Sequence, residues 1–157
     1  MMTDFAKARL LALVVPSALM LGALGSQYIG GLYPCEMCYW QRWPHDVAIV
    51  LALFAFGTRV SKAAHILVAL AAIAIMVSGG IGAFHAGVEY GWWPGITTCS
   101  TTATGVSLEA IMNAPVVRCD APQWTLFGIS LAGFNAIFSL SAGLAILGLL
   151  GREARKA

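Results

Sequence analysis

Four long apolar stretches dominate this chain of 157 residues and limit what it can fold into. They cover roughly residues 10–32, 40–57, 63–84 and 124–150. A helix needs about 20 apolar residues to cross a bilayer, and a chain with 59% hydrophobic and 10% charged residues is too apolar for a soluble domain of this length. We therefore predict an all-α fold, an integral membrane four-helix bundle forming a single domain over residues 1–157.

The first two stretches are less typical of spanning helices than the others. The clean apolar part of the second begins only at Val47, so Trp40 and Trp43 are expected to form an interfacial belt. The first stretch also resembles a cleaved signal peptide, because basic residues precede its apolar run and a small-residue site follows. Apolar character resumes at Tyr28, beyond that site, which favours a spanning helix.

The positive charges predict how the helices are oriented. Seven of the nine Lys and Arg residues lie before the first stretch, between the second and third, or after the fourth: Lys7, Arg9, Arg59, Lys62, Arg152, Arg155 and Lys156. Cytoplasmic loops carry an excess of these residues, so both termini are expected in the cytoplasm. The outer loops, 33–39 and 85–123, would then face the periplasm of a bacterial inner membrane. A net charge of +2 gives no indication of nucleic acid binding.

All four cysteines fall in these outer loops. Cys35 and Cys38 form a C-x-x-C motif, and Cys99 and Cys119 form a wider pair with nineteen residues between them. Disulfides form and persist in an oxidising periplasm, so this placement predicts redox-active cysteines. A bare C-x-x-C is also typical of a structural disulfide or of half a zinc site.

The residues around the C-x-x-C motif favour thiolate chemistry. Pro34 can start a helix, whose positive end would stabilise the thiolate form of a cysteine in its first turn. Arg42, four residues after Cys38, shares its helix face and can stabilise its thiolate further, whereas the carboxylate of Glu36 opposes it. Pro44 is expected to kink this helix or delay its start.

The wider cysteine pair suits the two ends of a flexible loop closed by a disulfide better than a zinc knuckle. Between the two cysteines, a short amphipathic helix is predicted from Ser107 to a stop at Pro115, either on the membrane surface or on the end of the bundle. Outside this helix, Glu89 is expected at the solvated interface, and Asn135 is expected to form a hydrogen bond between helices.

A thiol pair that is oxidised repeatedly needs an electron acceptor. The chain contains no haem-attachment motif, no dinucleotide-binding glycines and no P-loop. A lipid-soluble quinone meets the requirement, because its ring can reach the outer interface beside Cys38. Arg42 could there stabilise negative charge on a quinone oxygen.

Together these residues resemble the bacterial disulfide bond formation protein B (DsbB) family. The resemblance covers nearly the whole chain. It rests on the C-x-x-C with its aromatic residues and Arg42, on His85 ahead of Cys99, on Cys119, and on Pro122-Gln123-Trp124, expected to open the last helix. It implies a membrane quinone reductase that reoxidises a periplasmic thioredoxin-like thiol oxidase of the DsbA type. The partners implied are this oxidase and the quinone pool, with ubiquinone as the first expectation and menaquinone as the second.

The resemblance also implies a role for each cysteine. Cys99 would receive the attack of the reduced partner, and Cys119, released from Cys99, would engage Cys35. Cys38 would then be freed as the thiolate that faces the quinone. The residues implied at the quinone are Cys38, Arg42 and His85; no metal ligand is expected.

Two other interpretations stay open. Proteins resembling vitamin K epoxide reductase also combine four helices, a quinone and two cysteine pairs, but in that family the loop pair precedes the C-x-x-C, whereas here the C-x-x-C comes first. A noncatalytic membrane scaffold would use the cysteines for static disulfides or for zinc. In a scaffold, Cys35→Ser should leave function unchanged.

Overall fold

Four helices make up most of the described chain, which comprises residues 2–97, 100–101 and 116–156 of a computed structural model. They are α1 (Asp4–Tyr28), α2 (Glu36–Gly57), α3 (Lys62–Glu89) and α4 (Leu131–Ala154). Between α3 and α4, β1 (Ser100–Thr101) pairs antiparallel with β2 (Val116–Val117), and β3 (Thr125–Leu126) with β4 (Ile129–Ser130). The predicted all-α class is confirmed. The amphipathic helix predicted around residues 107–115 lies outside the described residues.

Each of these helices begins where a side chain satisfies one of its free N–H groups. The hydroxyls of Thr3, Ser61 and Ser130 accept hydrogen bonds of 3.1, 3.3 and 3.1 Å from the main-chain N–H three residues further on. The thiol of Cys35 does the same for α2, at 3.3 Å from the N–H of Cys38. Such caps stabilise a helix start and explain why α1 begins at Asp4, several residues before its apolar stretch.

The helices α1, α3 and α4 are long and apolar enough to cross a membrane. Helix α2 packs among them and carries polar side chains in its first half, which explains why its apolar stretch is the weakest. Large apolar side chains cover the outside of the bundle, including Leu21, Phe54 and Phe138, each more than half exposed. A surface of this kind requires lipid around it, so the chain is a membrane protein.

Small residues let α3 approach both α2 and α4. At Gly82, an added Cβ would lie 2.9 Å from the carbonyl oxygen of Ala132 in α4 and 3.1 Å from Oε1 of Gln41 in α2. Small residues at helix interfaces allow such close packing in membranes. The main apolar core is lined by alanines and fills the half of the bundle near the chain termini, where Lys156 forms an ion pair with Asp4.

The start of the last helix differs from the prediction. Residues 124–130 were expected to be helical, with Pro122-Gln123-Trp124 at the opening, but the helix begins only at Leu131. The preceding strands β3 and β4 form a hairpin whose two turn residues, Phe127 and Gly128, have φ of 51° and 77°. Positive φ at both positions matches the twist of a tight hairpin, and this geometry ends any helix.

The bounds of three other helices also differ from the prediction. Helix α2 runs from Glu36 through Pro44 to Gly57, so the delayed start expected from Pro44 is wrong, while the kink stays a prediction. Helix α3 continues to Glu89, so His85 lies inside a helix and not in the loop 85–123. Helix α1 ends at Tyr28, short of residue 32, because Gly31 follows with φ of 68°.

Candidate functional site

The two sulfur atoms of the C-x-x-C motif lie together at the start of α2. Cys35 is the N-cap and Cys38 lies in the first turn, with 3.0 Å between their Sγ atoms. Pro34 precedes the cap instead of starting the helix as predicted. Cys35 is buried, with 1% of its surface exposed, and Cys38 is partly buried. Both are free thiols.

The surroundings of Cys35 and Cys38 shift the pKa values of their thiols in opposite directions. Both residues precede residue 40, where the predicted membrane-spanning stretch begins, so both thiols lie outside that stretch. The hydrogen bond donated by the Cys35 thiol lowers the pKa of Cys38, and the Arg42 guanidinium adds to this effect, against desolvation and the charge of Glu89. The same hydrogen bond, together with burial, raises the pKa of Cys35. Cys38 is therefore the more acidic thiol of the reduced pair.

The end of the second outer loop brings a third cysteine to this pair. The sulfur atoms of Cys35 and Cys119 and a ring nitrogen of His85 all lie within 4.8 Å of one another. Cys119 is a buried free thiol that packs with Val117 against Cys35. The pairing of β1 with β2 holds the two ends of this loop together at Ser100 and Val117. Thiol exchange between Cys119 and Cys35 would therefore need little movement.

Arg42 is held by the protein and does not extend to solvent. Its Nη1 donates to Oε1 of Gln27 at 2.6 Å, and its Nη2 donates to the carbonyl of Ala23 at 3.2 Å, both in α1. Its guanidinium also lies 5.4 Å from the ring centre of Tyr39. These contacts fix a positive charge beside Cys38.

A cavity of about 240 Å³ lies next to the cysteines, somewhat smaller than the usual small-molecule site of about 300–1,000 Å³. Its wall is largely apolar and comes from α1 and α4. Its polar lining includes Cys38, Gln41, Arg42, His85 and Glu89. The cavity thus combines an apolar wall with a thiol and a fixed cation.

A buried polar network lies behind this cavity and joins α2, α3 and α4. Its members are Gln41, His45, Ser78, His85, Asn135 and Ser139, each linked by hydrogen bonds of 2.7–3.5 Å. The predicted interhelical role of Asn135 is confirmed, since its amide reaches Gln41 and Ser78. Such bonds hold membrane helices in register.

Residues 6–149 match the family model described as disulfide bond formation protein DsbB. The chain belongs to the DsbB family. A disulfide bond formation protein B from Acidovorax sp. (strain JS42) is 31% identical over 170 residues, covering 98% of this chain and 93% of the relative. One from Polaromonas sp. (strain JS666 / ATCC BAA-500) is 29% identical over 169 residues, covering 98% and 96%. No solved structure matches the chain significantly.

Membership of the DsbB family makes this chain a membrane disulfide oxidoreductase, as the resemblance implied. The structure brings four of the predicted site residues around the cavity: Cys35, Cys38, Arg42 and His85. Cys119 lies against Cys35, and Cys99 lies outside the described residues. Their individual roles stay predictions.

Two residues at the site of this DsbB-family chain were not found from the sequence. Glu89, expected at the solvated interface, has only 8% of its side chain exposed and lies 3.7 Å from Nε2 of His85. Its spacing of four residues from His85 on one helix was the available signal. Gln41 gave no signal, because its side-chain partners His85 and Asn135 come from other helices.

Proposed function

We propose that this DsbB-family protein passes electrons from a periplasmic thiol oxidase of the DsbA type through two cysteine pairs to membrane quinone. The observation that carries the proposal is the arrangement of three sulfurs: Cys119 lies against Cys35, Cys35 contacts Cys38, and Cys38 faces the cavity. This order matches a relay from the loop to the membrane.

The relay balances as a series of thiol exchanges. A thiolate of the reduced partner attacks Cys99 in the Cys99–Cys119 disulfide and releases Cys119 as a thiolate. Cys119 attacks Cys35 in the Cys35–Cys38 disulfide, so a Cys35–Cys119 bond forms and Cys38 leaves as a thiolate. The guanidinium of Arg42 lowers the pKa of Cys38 and so helps Cys38 to leave as a thiolate, even though Cys35 has no thiol hydrogen in this step.

Bound beside Cys38, a quinone would serve as the final oxidant: the Cys35–Cys38 disulfide would re-form and give up two electrons and two protons to it. The residues proposed to hold it are Cys38, Arg42 and His85, with ubiquinone preferred and menaquinone second. The fit rests on the apolar wall, which suits an uncharged ring, and on the guanidinium of Arg42, which would stabilise negative charge on an oxygen.

The orientation proposed for the chain is that of a bacterial inner-membrane protein with both termini in the cytoplasm and the cysteines in the periplasm. Basic residues at the termini and between α2 and α3 support this orientation. Cys35 and Cys119 lie at the opposite end of the bundle from the ion pair of Asp4 with Lys156. The sulfurs would therefore meet the partner in an oxidising compartment.

The proposal can be tested with purified protein, a reduced DsbA-like oxidase and a soluble ubiquinone analogue whose absorbance falls on reduction. We expect turnover in wild type, none in Cys38→Ser or Cys99→Ser, and a trapped mixed disulfide with the partner in Cys119→Ser. Folded protein that reduces neither ubiquinone nor menaquinone would refute the proposal.

A matched pair of arginine variants tests the quinone site. Arg9 donates to the carbonyl of Ala55 at 3.3 Å and so joins α1 to α2 at the other end of the bundle, as Arg42 does near the cysteines. Arg42→Gln should lower kcat/KM for quinone about tenfold or more, whereas Arg9→Gln should leave it unchanged. Equal losses would mean that Arg42 serves only to join helices.

A further inference from the structure

The orientation of two buried amides is fixed by main-chain carbonyls. Nε2 of Gln41 donates to the carbonyl of Met37 at 3.0 Å, and Nδ2 of Asn135 donates to the carbonyl of Ser78 at 3.1 Å. A carbonyl can only accept, so neither amide can be turned over. Asn135 Nδ2 also donates to Oε1 of Gln41 at 2.9 Å, which fixes the Gln41 amide from its other side.

This orientation determines which nitrogen of His85 carries hydrogen. Nε2 of Gln41 lies 2.9 Å from Nδ1 of His85. Since Gln41 Nε2 is a donor, Nδ1 must accept, and the neutral ring then carries its hydrogen on Nε2. The neighbours of Nε2 agree: Sγ of Cys35 lies at 3.6 Å and Oε1 of Glu89 at 3.7 Å, and both can accept. The ring also donates to the main-chain carbonyl of Cys119, so the hydrogen on Nε2 is shared between that carbonyl and the sulfur of Cys35.

We infer that Gln41 is a positioning residue that holds His85 as the Nε2–H tautomer, so that His85 presents an N–H to the sulfur of Cys35. The inference rests on the proposed relay, in which Cys35 must be released from Cys119. Before that step the second thiolate of the partner attacks the sulfur of the partner that is bonded to Cys99, so the partner leaves with its disulfide formed and Cys99 is freed as a thiolate. Cys99 then attacks Cys119, a Cys99–Cys119 bond forms, and the Cys35–Cys119 bond breaks. Its electron pair remains on Cys35, where the N–H of His85 stabilises the charge without giving up its proton.

Cys35 needs such a donor because it is almost fully buried. A thiolate away from water is unstable unless hydrogen bonds replace its hydration. The N–H of Cys38 supplies one of these bonds at 3.3 Å, and His85 supplies the other.

The same tautomer opposes the zinc-binding scaffold. A histidine binds a metal through the ring nitrogen that lacks hydrogen. In His85 that nitrogen is Nδ1, which is occupied by Gln41, whereas Nε2 faces the sulfur of Cys35 with its hydrogen in place. The side chains of Cys35, His85 and Cys119 are therefore arranged for thiol exchange and not for zinc binding.

The tautomer can be read directly from ¹⁵N-histidine NMR of the purified protein in detergent micelles, with His85→Gln to assign the signals. We expect a protonated, pyrrole-type Nε2 and a bare, pyridine-type Nδ1. Hydrogen on Nδ1 would overturn the inference, whatever the variants show. This readout does not depend on turnover, so a protein inactive toward quinone would refute the proposed function alone.

Gln41→Met tests the positioning role, because methionine fills similar space without a donor. We expect a mixture of tautomers and a fall in kcat of about tenfold. The control is Ser139→Ala, which removes a 2.8 Å bond to Asn135 but touches neither Gln41 nor His85. An unchanged spectrum and kcat in folded Gln41→Met would overturn the assignment.

Discussion

The Cys35 thiol donates a hydrogen bond to Cys38 and so lowers the pKa of Cys38 below its ordinary value of 9.0. Cys35→Ala removes this donor and should raise the pKa again, whereas Cys35→Ser keeps an O–H donor. In reduced protein at neutral pH, we expect alkylation of Cys38 to slow about tenfold in Cys35→Ala and far less in Cys35→Ser. Mass spectrometry of the alkylated peptide, in a background where Ser replaces Cys99 and Cys119, measures both rates. Equal slowing of alkylation in Cys35→Ala and Cys35→Ser would show that the hydrogen bond from residue 35 does not set the pKa of Cys38.

At Gly82, helix α3 packs so closely against neighbouring helices that a side-chain carbon does not fit without movement. A Cβ at Gly82 would lie 2.9 Å from both the carbonyl oxygen of Ala132 and Nδ2 of Asn135, while nothing lies within 4 Å of one at Gly80. Gly82→Ala should therefore lower stability by about 1–3 kcal/mol. Gly80→Ala should leave stability unchanged or raise it by up to about 1 kcal/mol, because alanine favours the helix. Thermal unfolding in detergent compares the two, and equal midpoints would contradict the close packing.

The sequence predicts these elements unevenly, for physical reasons. Apolar length and basic residues are local signals, so the existence of the helices could be predicted. The start of α4 could not, because Phe127 and Gly128 form a turn that depends on their φ angles more than on polarity. Gln41 and Glu89 were missed because a polar residue near a helix end is usually solvated, and only packing of several helices buries these two.

For the whole molecule, the proposed orientation makes a prediction about its ends. Both termini should lie in the cytoplasm, because the basic residues flank them. A green fluorescent protein fused after Ala157 should therefore fluoresce in bacteria, whereas alkaline phosphatase fused there should stay inactive, since it folds only where disulfides form. Active phosphatase at this position would contradict the proposed orientation, because it would mean that the four cysteines face the cytoplasm.

The ion pair between Asp4 and Lys156 places the first and last helical turns of the chain side by side. The exposed turn between α2 and α3, residues 58–61, connects helices at the same end of the bundle. A short linker could thus join the two ends of this chain, and new ends could be opened in that turn without moving any helix across the bilayer. The fold of the bundle depends on which helix faces pack together, so the order of the helices along the chain could be changed.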